Sequence, residues 1–300
     1  MRVQIITKDN GLGLSHDYRV LRDAILIARP GAEVRMLDWE QPQYGTAGAD
    51  LNIFLELLNP RFLPQAKRSV YVPNPEWYFS NMWGTALPRI DQVWAKTDDC
   101  LRIFSRLHRN VIKSGWTSED RLIGGERRKA MLHVAGGSDA KGTQEVIAAM
   151  AGLPQHRLTL VSRKDRGRLP ANIDFILSPT DDDLKRIQSA HLVHLCPSSY
   201  EGFGHYINEA RSCGAVVVTT NAAPMNELID SSTGAAVAPY AFGRQNAAMH
   251  ARIAPGDLGQ VITAVMAANE AVLQRVGDKA RARYLAERER FHEFVKLSLS

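Results

Sequence analysis

The sequence predicts an α/β protein made of two Rossmann-like domains. Strand-length apolar runs alternate with helix-period segments up to Lys113, and the alternation restarts at Met131. Between the two series, Gly115-Trp116-Thr117-Ser118 and a polar, charged stretch to Lys129 interrupt the pattern. Strands that alternate with helices imply a parallel sheet with crossover helices. A chain of 300 residues is long enough for two such units. The expected division is 1–118 and 119–277, with 278–300 as a closing helix.

In the first half, residues 3–7 form the opening strand, and Asp9 to Ser15 a glycine loop. A helix follows over 18–28, with apolar residues near positions i, i+3, i+4 and i+7. Segments 33–37, 49–55, 68–72 and 92–96 are the next strands, and a helix over 98–107 and a short strand over 110–113 complete the domain. The second half opens with a strand over 131–135 and the loop Gly136-Gly137-Ser138. A helix over 143–150, strands over 157–162 and 175–178, a helix over 182–190 and a strand over 191–196 come next. Beyond a further strand over 215–220, Arg244, His250 and Arg252 fall in a long loop, and helices over 258–273 and 278–294 end the chain.

Composition bounds the function. Apolar residues make up 45%, enough for a sizeable core. No run approaches the ~20 apolar residues that span a bilayer, and the N-terminal apolar stretch is too short for a signal peptide. The net charge of +5 lies mostly after residue 120. It suits an anionic substrate and admits nucleic acid without requiring it. Cys100, Cys196 and Cys213 have no metal or redox spacing. They read as buried free thiols, with a reducing cytoplasm as the default location.

The densest chemistry lies in Glu201-Gly202-Phe203-Gly204-His205-Tyr206-Ile207-Asn208-Glu209. An apolar strand precedes it and a small-residue helix pattern runs on to Gly214. A strand, a tight loop and a helix N-terminus leave backbone N–H groups pointing outward at the positive end of a helix dipole, a ready phosphate site. The two glutamates flank it as acceptors for sugar hydroxyls. Cys196-Pro197-Ser198-Ser199-Tyr200 leads into this stretch, and Cys213-Gly214, a strand and a loop ending in Pro224-Met225-Asn226-Glu227 follow it. In this setting the chain resembles the retaining glycosyltransferases of the GT-B fold in the large Glu-x7-Glu family (glycosyltransferase group 1, family-4-like), which includes sucrose and glycogen synthases. The match is close over about 35 residues and looser over the rest of the second half. The resemblance implies two Rossmann-like domains facing each other across a cleft, with the closing helix packed back on the first.

It also implies roles. Glu209 accepts from ribose hydroxyls and Glu201 contacts the donor sugar near the reacting carbon. The amides of Gly202, Phe203 and Gly204 bind sugar and phosphate. His205 either adds a phosphate contact or caps and packs. Lys141, at a helix start after the strand over 131–135, contacts the diphosphate, where a cation stabilises the leaving charge. The family's arginine a few residues earlier is replaced here by Gly136-Gly137-Ser138. Arg163, at the end of the next strand, is the candidate replacement, and the rest of Arg163-Lys164-Asp165-Arg166-Gly167-Arg168 reads as a solvated basic loop. Asp181-Asp182-Asp183 sits at a helix start and reads as capping rather than as a metal site.

In the first domain, Gly11 and Gly13 let a backbone approach the ligand, and Ser15 or Asp17 is a candidate helix cap. Glu76, beside Trp77 and Tyr78, is an acceptor-site candidate, the alternative being a proline turn with Trp77 packed inward. Lys96 ends the next strand. The expected reaction moves a sugar from a nucleoside-diphosphate sugar to a glycan or small glycoside, with no cofactor and no essential metal. Two alternatives stand beside it: glycosylation of a hydroxymethylated base in duplex DNA, and non-catalytic binding of a sugar nucleotide. Arg102, Arg106, Arg109 and Lys113 recur at helical spacing and are the candidate DNA contacts.

Overall fold

The computed structural model describes residues 1–299. They form two compact units. The first comprises Met1–Glu119, Arg244–Ala248 and the described residues from Ala286 onward, and the second Asp120–Gly243 and Met249–Leu285.

The first unit is a six-stranded parallel sheet of β1 (Arg2–Thr7), β2 (Glu33–Asp38), β3 (Ala49–Leu55), β4 (Ala66–Val72), β5 (Gln92–Ala95) and β6 (Val111–Lys113), in the order β2-β1-β3-β4-β5-β6. Helices α1 (Gly13–Ala28), α2 (Ser80–Trp83) and α3 (Asp98–Phe104) and short 3₁₀ turns connect the strands. Its aromatic core gathers Phe54, Phe62, Tyr71, Tyr78, Trp83 and Phe104. Helix α1 begins five residues before the expected start. Ser15 does not cap it: its hydroxyl donates to Asp9 and accepts from the Gly11 amide. Helix α3 ends at Phe104, so Arg106 and Arg109 lie beyond it and the four basic residues share no helical face. Arg102 pairs with Asp99, and Lys113 pairs with Asp98 at 2.7 Å.

The second unit holds β7 (Arg128–Gly136), α4 (Thr143–Ala151), β8 (Leu158–Ser162), β9 (Ile173–Leu177), α5 (Asp181–Ala190), β10 (His191–Cys196), α6 (His205–Ser212), β11 (Val216–Thr220) and β12 (Gly234–Val237). The sheet order is β12-β11-β10-β7-β8-β9, all parallel. Every residue of β10 and β11 is buried, as a central parallel strand requires. The stretch carrying Arg244, His250 and Arg252, expected as a loop, is instead a ribbon of β13 (Ala241–Gln245) and β14 (Ala248–Arg252). Asn246 supplies its turn at φ 52°.

Helices α7 (Pro255–Ala267) and α8 (Glu270–Ser298) close the chain. The first stops earlier than expected because Asn269 caps the second, accepting from the Val272 amide at 2.9 Å. Helix α8 runs unbroken through Gly277, where the sequence suggested a stop. A Cβ there would overlap the Gly214 carbonyl oxygen, so glycine is needed for close packing rather than for a break. Residues from 286 onward group with the first unit, where Phe291 packs edge-on to Trp116 and Phe294 to Trp94 at ring distances of 5.0 and 5.1 Å. Among the described residues, no helix is long and apolar enough to cross a membrane.

Candidate active site

In the second sheet the strand order reverses between β7 and β10. Open α/β sheets bind ligands outside the carboxyl ends of the strands at such a switch point. The loops leaving β7 and β10 meet there. The Ser199 amide donates to the Ala140 carbonyl at 2.8 Å, which pins one loop on the other. Gly142 caps α4 at φ 67°, and a Cβ on it would run into the Pro197 carbonyl. The approach of the two loops therefore depends on glycine.

This junction places Lys141 against Glu201. The Lys141 ammonium donates to Glu201 Oε1 at 2.7 Å and lies 3.7 Å from the centre of the Tyr206 ring. The Ser198 hydroxyl donates to the same Glu201 oxygen at 2.5 Å and lies 2.6 Å from the Tyr206 hydroxyl. Burial holds the Tyr206 phenol well above its ordinary pKa, so it stays protonated and donates to Ser198. Glu201 Oε2 is left open to a further donor such as a sugar hydroxyl. Lys141 and Glu201 keep 19% and 14% of their side chains exposed, so both are fixed yet reachable.

Gly202, Phe203 and Gly204 are buried, and Gly204 turns at φ 96° into α6. No side chain caps α6, whose N-terminus carries the positive end of the helix dipole toward an anion. His205 packs its ring edge-on to Phe203 at 5.4 Å. Glu209 is buried and accepts from Gln188 Nε2 at 3.1 Å. Gln188 Oε1 accepts in turn from Arg121, which forks onto both oxygens of Asp181. The first aspartate of the triple-Asp run thus anchors a buried chain that ends at Glu209. Thr180 caps α5 through the Asp183 amide. No cluster of metal-ligating groups occurs among the described residues.

His133, on β7 beneath this junction, has a defined tautomer. Its Nδ1–H donates to the Leu195 carbonyl at 2.7 Å, and Nε2 accepts from the Thr143 hydroxyl. Burial first, and then the Lys141 and Arg166 charges, lower its pKa to about 4. Burial lowers His194 to about 3. Both are neutral in the folded state at pH 7. Between pH 6.5 and 4 the unfolded chain binds two protons that the folded chain does not, so stability falls as pH drops through this window. The slope reaches about 1.4 kcal/mol per pH unit for each histidine. Urea unfolding of the second unit at pH 7, 5.5 and 4.5 is expected to show this loss, and replacing both histidines with glutamine to flatten it.

Residues 125–251 match the family described as glycosyl transferases group 1. The matched stretch lies in the second unit apart from the short segment 244–248. No curated protein matches the chain significantly by sequence. Solved structures match the chain over nearly its whole length. Sucrose-phosphate synthase of Thermosynechococcus elongatus superposes with a TM-score of 0.74 at 16% identity, covering 99% of this chain and 97% of its own. HepE of Anabaena, solved with UDP and glucose, gives 0.71 at 16% identity, covering 100% and 98%. WaaG, a glycosyltransferase involved in lipopolysaccharide biosynthesis, gives 0.66 at 13%, covering 94% of each chain. These likenesses establish the fold: two parallel six-stranded sheets in the GT-B architecture.

In the first unit, Gly11 turns at φ 62°, Gly13 opens α1, and a Cβ on either meets nothing within 4 Å. Glu76 is buried in a 3₁₀ turn, its carbonyl accepting from Asn246 Nδ2 at 2.6 Å. Trp77 is 45% exposed, and Tyr78 packs inward in its place. Asp17 does not cap α1. It is buried, with Lys96 Nζ donating to one oxygen at 2.5 Å and Trp116 Nε1 to the other at 2.8 Å. Lys96 also donates to Asn74, and Asn74 Nδ2 to Glu56 Oε2 at 2.6 Å. This chain of five polar groups crosses the carboxyl ends of β3, β4 and β5.

Sequence reasoning missed Asp17 as an ion-pair partner and Glu56 altogether. Glu56 turns at φ 64°, a left-handed conformation rare for a residue with a Cβ. Its carboxyl is raised by burial, against the opposing pull of Asn74 and Lys96. Such strain concentrates at functional sites. Glu56→Gly is therefore expected to be more stable than Glu56→Ala by about 1 kcal/mol, the reverse of the usual order. Both variants lose the Asn74 hydrogen bond, so urea midpoints of the pair isolate the backbone effect.

Arg163 is exposed, and its amide, rather than its side chain, joins the site by donating to the Gly136 carbonyl at 3.1 Å. The three cysteines are buried thiols. Burial pushes Cys100 and Cys213 up to about 12.

Proposed function

We propose that the chain transfers a sugar from a nucleoside-diphosphate sugar to a hydroxyl of a glycan or small glycoside, with retention at the anomeric carbon. The supporting observation is the Lys141–Glu201–Ser198–Tyr206 cluster at the β7/β10 switch point, beside the uncapped start of α6. The cluster offers a cation and amides for phosphate and a carboxylate for sugar hydroxyls. Glu209 lies one helix turn further in, suited to ribose. In the transfer, the bond from the anomeric carbon to the diphosphate oxygen breaks and the electron pair leaves with the diphosphate. The acceptor oxygen bonds to the same face of that carbon, and its proton passes to the departing phosphate.

Lys141 and the α6 amides neutralise the leaving group in this reading, without a metal or other cofactor. Three thiols buried at high pKa suit a reducing cytoplasm. Because HepE is solved with UDP-glucose, that donor is the first to test. Wild-type protein is incubated with UDP-, GDP- and ADP-sugars, with saccharide acceptors and hydroxymethylated duplex DNA as separate arms. Released diphosphate and product linkage are then measured, with and without EDTA. The reading requires donor consumption that survives EDTA, falls sharply in Glu209→Ala and yields a retained linkage on a saccharide. Product on DNA alone would replace the acceptor class, and donor binding without transfer would make the chain a binding protein.

A further inference from the structure

Arg166 stands apart from the basic loop that carries it. Its side chain is only 7% exposed, whereas Arg163, Lys164 and Arg168 are exposed. Its Nε donates to the Ser162 hydroxyl at 3.0 Å, at the end of β8. The nearest carboxylate, Asp139, is 3.8 Å from Nη1, too far for a hydrogen bond, and it is already shared with Lys164 at 3.3 Å. Arg166 Nη2 is buried with no hydrogen-bond partner. A buried guanidinium donor left unmade is costly. It persists where an anion completes it.

The surroundings say which anion. Ser162 is next to Gly136 in the β7/β8 register, and its hydroxyl points to the Gly136 carbonyl. Arg166 is thus moored at the carboxyl end of the strand whose loop carries Lys141. A Cβ on Gly136 or Gly137 would meet nothing within 4 Å, so the space in front of that loop is open. Lys141 is the cation already placed at this junction, and Glu201 offsets its charge. A diphosphate brings more negative charge than this one lysine neutralises.

We propose that Arg166 is the second cation of the diphosphate site. Resting on the donor reading above, the inference assigns the role to a loop residue of β8 and not to Arg163. Ser162 holds Nε, and a small shift of the fork away from Asp139 brings its Nη groups onto a phosphoryl oxygen over Gly136-Gly137. A planar guanidinium suits paired phosphate oxygens better than an ammonium does. Asp139, 81% exposed, swings into solvent at little cost.

The test is calorimetric titration of UDP, UMP and uridine, with GDP and ADP alongside, into wild type, Arg166→Gln, Arg166→Lys and Arg163→Gln. Thermal melts of the free proteins accompany the titrations. Arg166→Gln is expected to weaken the preferred diphosphate about ten- to a hundredfold, its monophosphate less, and the nucleoside not at all. Its melting point without ligand is not expected to fall, since an unsatisfied charge has been removed. Arg166→Lys loses part of the affinity, and it decides the question should the glutamine variant unfold. Arg163→Gln binds as wild type. Unchanged diphosphate affinity in the Arg166 variants, or the loss appearing in Arg163→Gln instead, overturns the assignment while leaving the donor reading intact. A folded wild type that binds no nucleoside diphosphate removes both.

Discussion

Replacing Lys141 with alanine lowers the turnover of sugar transfer about 10²- to 10³-fold, the cost of removing one preorganised donor to developing charge. The expected loss is in kcat more than in the acceptor KM, because the negative charge it meets grows only as the diphosphate departs. Lys141→Arg is not a neutral exchange. The ammonium sits 3.7 Å from the Tyr206 ring centre and donates to Glu201, a geometry built for a point charge. Removing Lys141 also leaves Glu201 held only by Ser198. A companion Glu201→Gln variant separates these effects. It keeps Lys141 in place, and loses activity through the sugar contact rather than through leaving-group charge. Steady-state kinetics with varied donor and acceptor decides the matter. An intact kcat in Lys141→Ala would remove Lys141 from the chemistry.

Lys96→Met destabilises the first unit by about 3–5 kcal/mol, as expected when one partner of a buried ion pair is lost. Lys96 and Asp17 have side-chain exposures of 1% and 2%, so nothing but protein surrounds the orphaned carboxylate. Trp116 Nε1 still donates to it. Asp17→Asn on top of Lys96→Met removes the stranded charge and is expected to recover most of the loss. The chain has two compact units, so unfolding is followed with separate reporters and not as one transition. Trp94 and Trp116, both in the first unit, report its melting by fluorescence. Nucleoside-diphosphate binding by the second unit is expected to survive. Equal midpoints for wild type and Lys96→Met would mean that the pair contributes no net stability.

Much of the fold was legible because its cause is local. The strands over 49–55 and 191–196 agree with the structure residue for residue, since apolar-rich segments of that length suit a buried parallel strand. Helix ends were less legible. Gly277 resembles a stop, yet it serves contact with Gly214, 63 positions away in sequence. Asn269 looks unremarkable, yet it starts a 29-residue helix. Ser15 and Asp17 look like caps, and tertiary partners claim both.

The site divides the same way. Glu201, the glycine loop and Glu209 are close in sequence, so a strand, a turn and a helix start place them without help from the rest of the chain. Their order along the chain is therefore readable as a strand, a tight loop and a helix N-terminus. What lies opposite them comes from distant segments. Lys141 reaches Glu201 across 60 residues, Lys96 reaches Asp17 across 79, and Trp116 reaches the same carboxylate across 99. Four arginines and lysines crowd the stretch from Arg163 to Arg168, and no property of the stretch distinguishes them. Only the fold buries Arg166 and leaves Arg163 in water. Charge is written in the sequence, but burial decides which charge must find a partner, and burial is a property of packed sheets and loops rather than of neighbours along the chain.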